Sequence, residues 1–149
     1  MSVDYYIEGD GSTHINVYSR GKTDVGKMLS NFYNCNIETP DGRFKSIEGY
    51  WFWLQCRDDE LKDMWGVEAK KYGEYHCLGF MKPDDFEQKI KIATFNKIMH
   101  NGHIKNALLE VDVNIPFVHY YVYDGKITDK SDNFQIYFLN DLKLILKHI

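Results

Sequence analysis

No apolar run in this 149-residue chain approaches the ~20 residues that a membrane-crossing helix needs. The start, Met1 to Gly11, is polar and acidic and lacks the basic segment and apolar centre of a secretion signal. Cysteine is scarce. Cys35, Cys56 and Cys77 are odd in number and follow no disulfide-framework spacing, which suits a reducing compartment. There is no internal repeat and no low-complexity linker. Charge of one sign is also missing: a net charge of −4 excludes a broad electrostatic grip on nucleic acid, while leaving room for a local basic patch. These absences describe a cytoplasmic protein without membrane contact.

What is present is an ordinary globular mixture, 44% hydrophobic and 27% charged, with the length of one domain. Aromatics are high at 15%, and such rings either fill a core or line a pocket for flat ligands. Residues 1–12, ending in Gly9-Asp10-Gly11-Ser12, read as a loose leader before a single domain over 13–149. His14 to Ser19 alternates polar and apolar residues, as a half-buried strand does, and Arg20 to Leu29 reads as a loop. Pro40-Asp41-Gly42 predicts a small hairpin within Ile37 to Phe44. Ser46 can cap a helix running to about Arg57, and a second helix spans Asp59 to Tyr72. Pro83-Asp84-Asp85 starts a third, with a buried stripe of Phe86, Ile90 and Ala93 and another of Ile92, Phe95 and Met99. Asn101-Gly102 stops it, and Ile104 to Leu109 adds a short helix. Phe117 to Tyr123 and Phe134 to Phe138 read as strands, and Leu139 to Ile149 as a closing helix. Helices with a few short strands make an α+β domain.

Three stretches carry the residue types that chemistry requires. The loop Arg20-Gly21-Lys22 combines cations with glycine, which lets backbone approach an anion; a solvated surface loop has the same composition. Ser30, Asn31 and Phe32 offer hydrogen bonds for sugar hydroxyls and a ring for stacking, or equally a capped turn with core aromatics. Glu48 lies in the first turn of the Ser46-capped helix beside Tyr50 and Trp51. There a carboxyl can serve as acid, base or stabiliser of an oxocarbenium-like centre, or simply complement the helix dipole. His119 lies in an expected strand, where it is either satisfied structurally or has one face able to reach a pocket. His76-Cys77 and His100-x-x-His103 match no established zinc spacing, so no metal site is assigned.

Leu29-Ser30-Asn31-Phe32-Tyr33, then Pro40-Asp41-Gly42-Arg43-Phe44, then Ser46-Ile47-Glu48-Gly49-Tyr50 resemble, in order and spacing, the motifs of the NADAR (YbiA-like) family. Ala69 to Gly73 and Phe95 to Leu109 look like later parts of the same pattern. The resemblance implies a mostly helical α+β domain and an N-glycosidase needing no cofactor. It removes ADP-ribose from guanine in nucleic acid, or splits early riboflavin-pathway intermediates. It also implies that Glu48 is catalytic. The residue types themselves put Arg20, Gly21, Lys22, Ser30, Asn31, Phe32, Tyr50, Trp51 and His119 around the ligand. The chain departs from the pattern at Gly49, where histidine is usual, and at Gln55, where a lysine is common. Lys70 or Lys71 of the next helix can supply the missing amine, and Lys70 is the residue assigned. The tail departs as well, so the chain resembles a divergent member, like the small versions that large bacterial viruses encode.

Overall fold

The structure, a computed structural model, describes residues 7–148. After a 3-10 turn at Ile7–Gly9 come β1 (Ile15–Asn16), α1 (Asp24–Leu29), β2 (Ile37–Thr39), β3 (Gly42–Phe44) and α2 (Ile47–Cys56). A second 3-10 turn at Asp59–Asp63 leads to α3 (Gly66–His76), α4 (Phe86–His100) and α5 (Gly102–Glu110). β4 (Phe117–Val118), β5 (Tyr120–Tyr123), β6 (Lys126–Asp129) and α6 (Phe134–Lys147) complete the chain. The class is α+β, mostly helical with short strands paired two by two. Two units form, one from the N-terminal residues to Ser30 with 106 onward, the other from Asn31 to Lys105.

In the first unit β1 and β4 run parallel, Ile15 opposite Phe117 and Asn16 opposite Val118. A parallel pair this short has few ladder bonds, and two asparagine amides extend it. Asn16 accepts from the Tyr120 N–H at 3.0 Å and donates to the Tyr120 carbonyl at 3.0 Å. Asn140 of α6 brackets Phe117 in the same way, at 2.8 and 2.9 Å. α6 starts at Asn133, whose side chain accepts from the Ile136 N–H, and it buries Ile136, Leu139, Leu142 and Leu146 at helical spacing. Residues Phe134 to Phe138 are therefore the first turns of this helix and not a strand. The cap and the 3.6-residue period outweigh their aromatic strand propensity. Lys143 is also buried, and its ammonium donates to the Ile115 carbonyl.

Two other expectations change here. Arg20 to Leu29 is not all loop: Thr23 accepts from the Gly26 N–H and starts α1. Of the leader expected over residues 1–12, the first six lie outside the described residues. From Ile7 onward the chain turns, and Asp10 is buried at 5% exposure.

The second unit is built on α2, α3 and α4. The hairpin β2–β3 forms where Pro40-Asp41-Gly42 requires it, with Gly42 at φ +116°, a conformation that glycine adopts without strain. Asp41 ties the turn inward, accepting from the Tyr50 hydroxyl at 2.7 Å and from Lys89 at 3.1 Å. α4 buries Phe86, Ile90, Ala93 and Ile98, while Ile92 and Phe95 are exposed, so only the first of its two apolar stripes is core. The helix expected over Asp59 to Tyr72 is split into the 3-10 turn and α3, because Gly66 at φ +43° starts a new helix. Cys56 and Cys77 form a disulfide, although the cysteine count and spacing suit a reducing compartment. Their spacing of 21 residues matches no small-framework pattern; the packing of α3 along α2 brings them together.

Candidate functional site

The start of α2 is held from three directions. Ser46 Oγ accepts from the Gly49 N–H at 3.0 Å and donates to the Met64 carbonyl at 3.1 Å. The Glu48 N–H donates to the Asn31 carbonyl at 2.9 Å. Two of the helix's unpaired N–H groups are thereby satisfied, and the Asn31-Phe32 turn is fastened to the residue that bears the carboxyl. Gly66, at the start of α3, packs on the Phe32 backbone, where a Cβ would lie 3.0 Å from the Phe32 oxygen.

α3 then runs along α2 with a constant offset. Phe52 lies over Gly73, and Cys56 bonds to Cys77, each pair 21 residues apart. This register presents Lys70 and Glu74, one turn apart on α3, to Glu48. Lys70 Nζ is 4.0 Å from Glu74 Oε1 and 6.0 Å from the centre of the Phe32 ring. Burial pushes the Glu48 carboxyl up to about 7; the Lys70 ammonium opposes this and the Glu74 carboxylate adds to it. The result is a carboxyl that gains and loses its proton near neutrality, under the influence of a cation that itself lies by the Phe32 ring. Such a group can give a proton to a leaving nitrogen and take one from water.

Asn31, Phe32, Glu48 and Lys70 thus share one neighbourhood in this unit. Tyr50 does not: it is completely buried, and its hydroxyl is committed to Asp41, which raises its pKa further. It is a core residue, and its expected ligand contact is corrected accordingly. Trp51 meets Phe86 edge-on at 4.7 Å with Lys82 4.7 Å above its ring, a position on the α4 side of α2. Gln55 donates to the Trp51 carbonyl at 3.2 Å. Glu74 was not singled out from the sequence, although its i,i+4 spacing from Lys70 is legible there.

The remaining expected residues belong to the other unit. Ser30 is buried at 6% exposure. Arg20, Gly21 and Lys22 line a cavity of about 270 Å³ together with Asp10, Asn16 and Tyr18. Gly21 serves packing here, since a Cβ would lie 2.8 Å from the Asn16 carbonyl and its N–H already donates to Tyr18. His119 is half-buried, and its Nδ1 meets the Val17 carbonyl at 2.7 Å. A carbonyl only accepts, so Nδ1 carries the proton and the neutral ring presents an unprotonated Nε2. Burial lowers the His119 pKa and favours that neutral form.

No protein-family model matches the chain. No curated protein matches it either. Among solved structures it is similar to the NMR structure of the Escherichia coli protein YbiA, at 20% identity and a TM-score of 0.67. That match covers 95% of this chain and 93% of the other. At that identity the likeness concerns the backbone, and it spans nearly the whole length of both proteins. The chain has the YbiA-like fold.

Proposed function

We propose that the protein is an N-glycosidase acting on ADP-ribosylated guanine in nucleic acid, with Glu48 as its proton donor and acceptor. The observation that carries this reading is the Glu48 carboxyl, poised at about 7 between Lys70, Glu74 and the Asn31-Phe32 turn. The motif resemblance supplies the substrate class, and the YbiA-like fold is compatible with it.

In the proposed reaction the bond between the anomeric carbon and the guanine nitrogen breaks, and its electron pair stays on nitrogen. Glu48 delivers its proton to that nitrogen as the pair develops. The resulting carboxylate faces the oxocarbenium-like carbon, and the Lys70 ammonium stabilises it. Water then adds to the carbon, and its proton returns to Glu48. The Phe32 ring offers an apolar face beside the site. Lys70 acts here through its charge, so no Schiff base at position 55 is required.

The test is mass spectrometry of an oligonucleotide bearing one ADP-ribosylated guanine, incubated with wild type and with Glu48→Gln. Release of ADP-ribose by wild type alone supports the reading. Release by neither folded protein refutes it and favours free ribosylamine phosphates as substrates, or a binding module that does no chemistry. Gln55, where the family commonly has lysine, is the feature that recommends the binding module.

A further inference from the structure

α3 is anchored differently at its two ends. At its start Gly66, at φ +43°, packs on the Phe32 backbone, and the Met64 carbonyl just before it accepts from Ser46 Oγ. Along its length the residues it buries are small: Gly66, Ala69 and Gly73. Apolar stabilisation scales with the area buried, so these hold a helix less firmly than the Phe86, Ile90 and Ile98 that α4 buries. The far end is closed by the Cys56–Cys77 bridge, which joins the last residue of α2 to the residue that caps α3. Beyond the bridge the chain stands out into solvent, with Leu78 at 82% and Met81 at 88% exposure.

Between these anchors lie Lys70 and Glu74, the two charges of α3 that act on Glu48. Lys70 is four residues past Gly66, and Glu74 is three residues before Cys77. The Tyr72 hydroxyl adds one tie, donating to Asp58 at 2.5 Å. Cys77 is buried but Cys56 is only half-buried, so one end of the bridge lies near the surface. The cysteine count and spacing suit a reducing compartment, where a bridge is more often transient than permanent. A reversible bond thus sits at the end of the helix that has the least other burial to hold it.

We propose that the Cys56–Cys77 bridge is a redox latch: closed, it holds α3 and its charges against Glu48, and opened, it lets α3 loosen from α2 about Gly66. In the opening step a thiolate of a dithiol reductant attacks one sulfur of the bridge and forms a mixed disulfide. The reductant's second thiol then displaces the remaining cysteine. Cys56 and Cys77 leave as thiols and the reductant as a disulfide, two electrons and two protons having passed to the protein. A small-molecule disulfide closes the latch by the reverse exchange. Control of catalysis by the latch rests on the Glu48 reading, whereas the coupling between bridge and carboxyl does not.

Loosening α3 admits water to the Glu48 carboxyl, and burial is the largest cause of its raised pKa, so its midpoint should fall from about 7 toward 4.5. Loss of Lys70 and loss of Glu74 act in opposite directions and leave that sign unchanged. At neutral pH the protonated fraction then drops by up to about a hundredfold. The experiment is an NMR titration of protein with isotope-labelled glutamate, the Glu48 signal being assigned by its absence in Glu48→Gln. Oxidised protein is compared with protein reduced by a dithiol, the state of the bridge is checked by peptide mass mapping, and amide hydrogen exchange is followed in both. Reduction is expected to lower the midpoint and the protection of α3 while α4 stays protected, and Cys56→Ala, Cys77→Ala should match the reduced form. An unchanged midpoint and unchanged protection overturn the proposal. So does loss of protection in α4 as well, which would make the bridge a staple of the whole unit, and so do cysteines that stay unlinked after treatment with a small-molecule disulfide. Release of ADP-ribose from the modified oligonucleotide is measured on the same samples. A midpoint shift without release by either form keeps the latch and refutes the glycosidase reading; equal release without a shift does the reverse.

Discussion

Replacing Glu48 by glutamine is expected to stabilise the protein in alkaline solution and to leave it almost unchanged in acid. In the folded protein the Glu48 carboxyl titrates at about 7, against 4.5 for an ordinary glutamate. A raised carboxyl pKa means that the folded state holds its proton more tightly than the unfolded chain does. The group's favourable contribution is therefore fully present below 4.5 and is lost as pH rises through about 7. At about 1.36 kcal/mol per pH unit, the interval from 4.5 to about 7 corresponds to about 3 kcal/mol. Solvent at the carboxyl's exposed edge reduces this toward about 2 kcal/mol. Glutamine has the shape of the protonated acid and no charge to bury, so the variant escapes the loss. Urea unfolding of both proteins, below 4.5 and above 7, measures the difference directly. Glu74→Gln should move the wild-type midpoint down, because the Glu74 carboxylate raises it. Lys70→Gln should move it up, because the ammonium lowers it. A stability difference between wild type and Glu48→Gln that does not vary with pH would refute the argument, since it would place the carboxyl in water.

Two further predictions concern the register of α3 on α2. Gly73→Ala would bring a Cβ within 2.1 Å of Phe52 Cγ. The overpacking costs up to about 3 kcal/mol against a helix-propensity gain of about 1 kcal/mol, for a net loss of up to about 2 kcal/mol by thermal or urea unfolding. An alanine variant as stable as wild type would mean that α3 does not lie on Phe52. Reducing the Cys56–Cys77 bridge, which closes a segment of 21 residues, should lower stability by about 3 kcal/mol. Chemical unfolding with and without a dithiol reductant, beside a Cys56→Ser control, checks this; identical curves for all three would show that the bridge contributes nothing.

Short-range chemistry was legible in the residues themselves. Pro40-Asp41-Gly42 sets its hairpin, because proline and glycine restrict or extend backbone angles whatever surrounds them. Ser46 caps α2 through a bond to a residue three positions on. The spacing of Phe86, Ile90 and Ala93 marks the buried face of α4. These features depend on neighbours a few positions away, and so does the order of the motifs that led to Glu48. Aromatic content misled at Phe134 to Phe138, where a cap and a longer period prevail over strand propensity. Tertiary packing decided the rest. Whether Tyr50 touches ligand or core depends on Asp41 and Lys89 arriving from the hairpin and from α4. Whether Lys70 is near Glu48 depends on a 21-residue offset between two helices, set by Gly73 accepting the Phe52 ring and Gly66 accepting the Phe32 backbone. Asp10, in a stretch that reads as leader, lines a cavity only because β1 and the Arg20–Lys22 loop fold back on its carboxylate. A carboxyl's residue type is written in the sequence, but the water it loses and the charges it meets belong to the packed chain.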